Sequence, residues 1–293
     1  MIGTVGKVKN SFTSAKRGGY IYTATLLLFL AASFFARILL GIFNAEKSVS
    51  IVVVSLVSVA VFIVSAVLYA EKDARKLKIT KFAPVYLLPT VLLAVGMVFG
   101  LGFLNTVISH GVERIGGKVA DIDVQIDNAF QFALFSVVLC LLPAIAEELF
   151  FRGVLLDTLS DTNVLLRVVT VALCFSLYHG NVSQLAYQFV YGAGLCVLTL
   201  KAKSVLPAMI AHFANNFFAL STYYFNIGID LFNPILIVCG AAALGLCALF
   251  TAFYKKGGAC VSGGERIREF YIPFGIVGVI ASLLVILLSV IPL

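Results

Sequence analysis

Charge is scarce in this chain. Only 12% of its 293 residues are Asp, Glu, Lys or Arg, while 61% are hydrophobic, and the mean hydropathy is +1.07. Soluble domains are nearer a quarter charged, so a soluble globular enzyme is excluded. Strict polar–apolar alternation is also missing, which excludes an outer-membrane barrel. The six cysteines, Cys140, Cys174, Cys196, Cys239, Cys247 and Cys260, include no CxxC pair. Most lie inside apolar runs, where they read as small buried hydrophobes rather than a disulfide set or a metal site. No HExxH zinc motif occurs, and no serine or cysteine nucleophile is paired with a base. The basic start, Lys7 to Arg17, precedes an apolar run too long for the core of a cleavable signal.

What the chain has instead is long apolar runs, at about 20–43, 49–70, 83–108, 129–150, 164–180, 183–200, 204–225, 233–254 and 270–292. A helix needs about 20 such residues to cross ~30 Å of hydrocarbon. The expected fold is therefore all-α: a polytopic helical membrane protein with eight or nine transmembrane helices and a conical or cavity-containing catalytic bundle. Residues 1–19 form a cytoplasmic N-terminal segment, and 20–292 a single transmembrane domain with its catalytic core at about 129–225. Within the third run, Gly96 and Gly100 make a GxxxG, the signature of close helix packing.

The net charge of +7 does not point to nucleic acid, because the basic residues are scattered through short connections. With the N-terminus in the cytoplasm, the cytoplasmic segments hold Lys7, Lys9, Lys16 and Arg17, then Lys72, Arg75, Lys76, Lys78 and Lys81. They also hold Arg152, Arg167, Lys201 and Lys203, then Lys255, Lys256, Arg266 and Arg268. The other face holds only Lys47, Arg114 and Lys118, while Arg37 can snorkel from the first helix. Seventeen against three is a strong positive-inside bias. The short connections suggest a prokaryotic cell membrane. In the 109–128 connection, Asp121, Asp123 and Asp127 alternate with Val124 and Ile126. This segment is expected along the outer interface, since it lacks the twelve-residue calcium-loop pattern.

Three stretches carry chemistry. The first is Glu147-Glu148 followed by Arg152, inside an apolar run. Each charge costs at least ~2.5–3.5 kcal/mol in a membrane helix, so such residues mark function or a paired network. Helix neighbours differ by about 100°, so the two carboxylates point differently. Glu148 and Arg152, at i and i+4, can pair and leave Glu147 free for chemistry. A buried ion network that only locks packing is the plain alternative. The second stretch ends at His179, with Phe175 one turn earlier to pack beneath the ring. The third places His212 and Asn216 on one helix face in the hydrocarbon region. His110, in an outer connection, reads as surface.

The three stretches can meet only if the fourth helix runs on to about 159 and turns at Ser160–Asn163. At 1.5 Å per residue, Glu147 then lies about 21 Å above the turn, His179 about 26 Å, and His212 about 14 Å above Lys203. The turn at Gly180–Ser183 must then be buried within protein or beside a water-filled cavity.

Glu147-Glu148-x-x-x-Arg152, Phe175-x-x-x-His179 and His212-x-x-x-Asn216 occur in that order within about 70 residues. Together they resemble the EExxxR, FxxxH and HxxxN motifs of the CAAX-protease and bacteriocin-processing (CPBP, Abi) family of intramembrane endopeptidases. The resemblance covers about 135–225. It implies hydrolysis of a peptide bond near the membrane surface, with a peptide or protein substrate and the bilayer as partners. Glu147 with His179 would activate water, and His212 with Asn216 would donate to the oxyanion. That mechanism requires no cofactor. The alternative is zinc held by Glu147, His179 and His212 with an open water position, as the name metalloprotease often given to the family suggests. Asparagine is a poor zinc ligand, so the metal-free form is preferred. Two other classes stand beside the enzyme: a non-catalytic scaffold or bacteriocin-immunity protein, and a proton-coupled transporter. A cytoplasm-open cavity with a lateral gap would favour a protease, and repeat symmetry a transporter.

Overall fold

Each apolar run forms a helix. The computed structural model describes residues 14–71, 73–119, 125–253 and 265–291, and among them there is no strand. The helices are α1 (Ser14–Ile42), α2 (Lys47–Ala70), α3 (Pro84–Arg114), α4 (Ala129–Thr158) and α5 (Val164–Tyr178). They continue as α6 (Leu185–Ala202), α7 (Leu206–Tyr224), α8 (Pro234–Phe253) and α9 (Ile267–Val290). Seven of the described helices are long and apolar enough to cross a membrane. The exceptions are α5, with 15 residues, and α7, whose middle carries His212, Asn215 and Asn216. The chain is thus a helical polytopic membrane protein. Cys260, Asp121 and Asp123 lie outside the described residues, as do several of the counted basic residues.

One end of the bundle gathers the basic connections and stitches them together. Lys78 Nζ lies 3.1 Å from Asp157 Oδ1 at the end of α4, and Arg17 Nη2 lies 2.9 Å from Glu71 Oε1. The Val205 amide donates to the Lys78 carbonyl at 3.1 Å. Thr80 donates to the Lys203 carbonyl, and Ser204 donates back to that of Thr80. Arg152 does not belong to this end. It is fully buried within the bundle, because a guanidinium there has Glu148 as its partner. Without it, the charge bias is sixteen against three.

The GxxxG of α3 packs on α8. A Cβ at Gly100 would stand 2.8 Å from the Gly240 carbonyl carbon, and one at Gly96 2.7 Å from Leu244. Only hydrogen fits there, so the two backbones touch.

Helix α4 is not uniform. Two π-helical segments, Ser136–Leu141 and Leu149–Leu155, flank a short α-helical block, Leu142–Glu148, that ends in the two carboxylates. Such π-bulges recur at functional sites. The chain then turns after Thr158 and enters α5 at Val164, with the Asn163 side chain accepting from the Leu165 amide as a cap. This is the hairpin that the depth argument requires.

Two apolar clusters form the core. Tyr22, Phe62, Phe151 and Phe175 belong to one; Met97, Tyr191, Leu195 and Ala211 belong to the other. The polar residues of the three motifs lie where the clusters meet: the ring of His212 is 5.9 Å from that of Phe175 and 6.4 Å from that of Tyr191.

Candidate active site

Glu148 is the best-tethered of the motif residues. It is fully buried, and its Oε1 accepts from Arg152 Nη1 at 2.7 Å and from His212 Nδ1 at 2.8 Å. Arg152 Nη2 reaches across to the Gly192 carbonyl on α6 at 3.2 Å. Its guanidinium carbon lies 4.2 Å from the centre of the Phe175 ring, a cation–π contact. A Cβ at Gly192 would meet Phe175 at 3.0 Å and Ala172 at 3.3 Å. Glycine therefore lets α6 approach closely enough to offer that carbonyl.

His179 follows the last turn of α5. Its Nδ1 bonds to the Phe175 carbonyl at 2.8 Å. A carbonyl only accepts, so Nδ1 carries the proton and Nε2 keeps its lone pair. Phe175 also supports the imidazole edge-on, with centroids 4.8 Å apart, as the i, i+4 spacing implies. The chain then leaves the helix through Gly180, whose φ of +63° suits glycine. The Asn181 side chain accepts from both the amide and the hydroxyl of Ser183, and Ser176 donates to the Leu185 carbonyl. The turn, in which Ser183 is buried, thus pairs polar groups of its own. The C-terminal part of α3 packs over it, so the turn is partly rather than fully buried.

His212 spans both glutamates. Nδ1 is held by Glu148, while Nε2 faces Glu147 Oε2 at 4.0 Å. The two carboxylates leave the helix in different directions, yet they bracket one imidazole. Glu147 is buried, and its Oε2 has no hydrogen-bond partner among the described residues. Asn216 Oδ1 accepts weakly from Asn215 Nδ2 at 3.4 Å, which leaves the Asn216 amide nitrogen as a donor for a ligand.

Glu147, His179, His212 and Asn216 all line one cavity of about 630 Å³, whereas Glu148 and Arg152 stand behind it. Its wall also includes Gln184, Tyr187, Gln188 and Asn215, which the motif pattern does not contain. Tyr187 donates to Asn215 Oδ1 and so fixes that amide. The adjacent Asn215-Asn216 pair in an apolar helix is the signal that could have found Asn215. Gln184 and Gln188, at i and i+4, are a weaker one. His110 lies within α3 rather than in a connection, and it is exposed.

The zinc alternative would draw on Glu147, His179 and His212, which line the same cavity. Among the described residues no three His, Cys, Asp or Glu side chains converge as metal ligands. The Nδ1 atoms of both histidines are held by protein acceptors, which leaves Nε2 of each ring for water, substrate or a metal.

Helices and site together define a polytopic membrane protein that holds carboxylates, imidazoles and amides around a cavity within its bundle. Residues 129–218 match the family model of the Rce1-like type II CAAX prenyl endopeptidases, so this segment, which holds all three motifs, is similar to that family. No curated protein and no solved structure matches the chain.

Proposed function

We propose that the chain is an intramembrane endopeptidase in which Glu147 activates water. The observation that carries this reading is the Glu147 carboxylate. It is buried in the cavity wall, one oxygen lacks a protein partner, and the His179 imidazole with a lone pair on Nε2 lines the same cavity. A water held there would lose a proton to the carboxylate while its oxygen attacks the peptide carbonyl. The oxygen of the tetrahedral intermediate would receive hydrogen bonds from Asn216 Nδ2 and from His212 Nε2. Because Nδ1 of His212 donates to Glu148, Nε2 can donate only when the ring carries a second proton. Glu148 supplies the negative charge that an imidazolium needs, and Arg152 holds Glu148 in place. The proton on Glu147 then passes to the leaving amine. No metal is used.

Comparison of membrane peptides from cells carrying the native chain and Glu147→Gln tests this. The variant should fold, because glutamine keeps the shape of the side chain and Glu147 Oε2 has no hydrogen-bond partner among the described residues, and it should abolish the cleavage products. Retention of those products would sink the role of Glu147. The scaffold or immunity reading and the transporter reading both leave peptide cleavage unchanged, so the same comparison separates both from the endopeptidase reading. An N-terminus in the cytoplasm of a prokaryotic cell membrane belongs to this proposal and is supported by the charge bias.

A further inference from the structure

A second cavity, of about 560 Å³, lies between α1 and α2, apart from the motif residues. Along α1 it takes Arg17, Ile21, Ala24 and Thr25, which share one helix face. Along α2, which runs the other way, it takes Tyr69, Leu68 and Ser65. Its two ends differ. At the deep end the Thr25 hydroxyl donates to Ser65 Oγ at 2.9 Å, so the polar atoms there satisfy each other. At the mouth stand Arg17 and Tyr69. Between the two ends, Ile21, Ala24 and Leu68 present carbon. Phe274 of α9, edge-on to Tyr20 with centroids 5.3 Å apart, closes one flank. Tyr20 and Leu68 are both more than half exposed, so this cavity faces the hydrocarbon rather than the bundle interior.

The mouth holds its cations in place. The Arg17 guanidinium carbon lies 5.2 Å from the centre of the Tyr69 ring, and Lys76 Nζ lies 5.6 Å from it. The ring is itself fixed, because the Tyr69 hydroxyl donates to Asp157 Oδ2 at 2.8 Å. Arg17 gives one nitrogen, Nη2, to Glu71 Oε1 at 2.9 Å; among the described residues its Nε and Nη1 have no acceptor. The Glu71 carboxyl is held below its usual range by that hydrogen bond and by the charge of Lys76, so Lys76 faces the same cluster. Nearby charges are matched in pairs, Arg75 with Asp73 and Lys78 with Asp157. Around the Tyr69 ring, Arg17 and Lys76 against Glu71 leave one positive charge in excess. We propose that this cavity holds one anionic phospholipid, with an acyl chain between α1 and α2 and a monoanionic phosphodiester head on Arg17 and Lys76. Arg17 stands about one turn into α1, and Glu71 directly follows α2. The mouth therefore lies at the edge of the apolar span, the level of lipid headgroups. The site requires only that this end of the helices meets headgroups, on whichever face of the membrane it lies. A zwitterionic lipid brings the same chain, but its head carries no net charge and its ammonium finds Glu71 already held by Arg17. A free phosphate brings the charge without the chain.

The test titrates the full chain, purified in detergent, with phosphatidylglycerol, with phosphatidylcholine of the same chains, and with glycerol 3-phosphate, and counts bound molecules by native mass spectrometry. One phosphatidylglycerol should bind saturably, at about fivefold lower concentration than phosphatidylcholine, the preference expected of one unmatched cation at a headgroup. Glycerol 3-phosphate should neither bind nor compete in that range. Lys76→Gln should fold, since the Lys76 side chain makes no hydrogen bond among the described residues, and should erase the preference. Arg17→Gln should do the same. Glu71→Gln keeps an acceptor for Arg17 while removing the opposing charge, and should tighten phosphatidylglycerol by about fivefold. Ala24→Trp should fill the cavity and weaken both lipids. Arg75→Gln, at the same end but paired with Asp73, should change nothing. Equal affinity for the two lipids overturns the proposal, as does weaker binding to Glu71→Gln. Unchanged binding to Ala24→Trp overturns it by placing the lipid elsewhere. Competition by glycerol 3-phosphate overturns it in favour of a free-anion site. An equal loss in Lys76→Gln and Arg75→Gln overturns it in favour of the general charge of that end.

Discussion

His212 Nδ1 lies 2.8 Å from Glu148 Oε1, the oxygen that Arg152 also uses. The contact joins residues 64 positions apart and links the first motif to the third. Truncation and neutralisation of Glu148 should therefore differ. Glu148→Ala leaves a buried guanidinium without its partner and should cost about 3–5 kcal/mol of stability. Glu148→Gln keeps an acceptor for both donors but removes the charge that supports an imidazolium. It should fold, and its turnover should fall by about 10²-fold, a loss typical of one disabled oxyanion donor. Thermal unfolding in detergent and cleavage rates check the two. Equal stability of both variants would show that the ion pair does not hold the site.

His212→Ala should lower turnover by about 10²–10³-fold and leave substrate affinity nearly unchanged, since an oxyanion contact is complete only in the transition state. Separate measurement of kcat and KM on a cleaved reporter decides it. A variant that loses affinity with turnover intact would assign His212 to substrate binding.

Purified protein should carry no stoichiometric zinc, and activity should survive dialysis against a strong chelator. Elemental analysis beside the activity assay reads both. One zinc per chain, lost together with activity and restored by added metal, would turn Glu147, His179 and His212 into ligands, with nitrogen–metal distances near ~2.0–2.1 Å.

Gly100→Leu should destabilise the bundle by about 1–3 kcal/mol through overpacking, because its side chain would enter the backbone of α8 at Gly240. Gly111→Leu on the same helix has nothing within 4 Å of the added Cβ and serves as the control. Unfolding temperatures of the two variants give the comparison. An equal loss in both would place the effect in helix chemistry rather than in the contact.

Hydropathy and i, i+4 spacing carry much of this architecture. The nine runs, the hairpin near Ser160–Asn163, the Glu148–Arg152 pair, the Phe175–His179 support and the Gly96–Gly100 packing motif all rest on local pattern, whereas its partner Gly240 does not. Other features depend on residues far away in the chain. By sequence alone Arg152 counts with the cytoplasmic charges, because its burial requires a carboxylate, a carbonyl on α6 and a ring on α5 together. The Glu148–His212 bond and the Tyr187–Asn215 bond join separate helices, and no periodicity encodes them. The π segments leave no composition signal either, since Ser136–Leu141 and Leu149–Leu155 read as ordinary apolar helix.

Those π segments give α4 three angular phases. A π turn accommodates one residue more than an α turn, which offsets the succeeding turns by about 100° from an uninterrupted α-helix. The N-terminal third, the carboxylate block and the C-terminal third are therefore clocked independently. Phe132, in the N-terminal third, stacks on Tyr224 with centroids 4.5 Å apart and lies 5.9 Å from Phe217. This aromatic clasp joins the start of α4 to the end of α7. Deleting one residue between Ser136 and Leu141 would swing Phe132 away from α7 while leaving Glu148 on Arg152. Length in that segment thus acts as a dial that sets the clasp without retuning the charges beneath it.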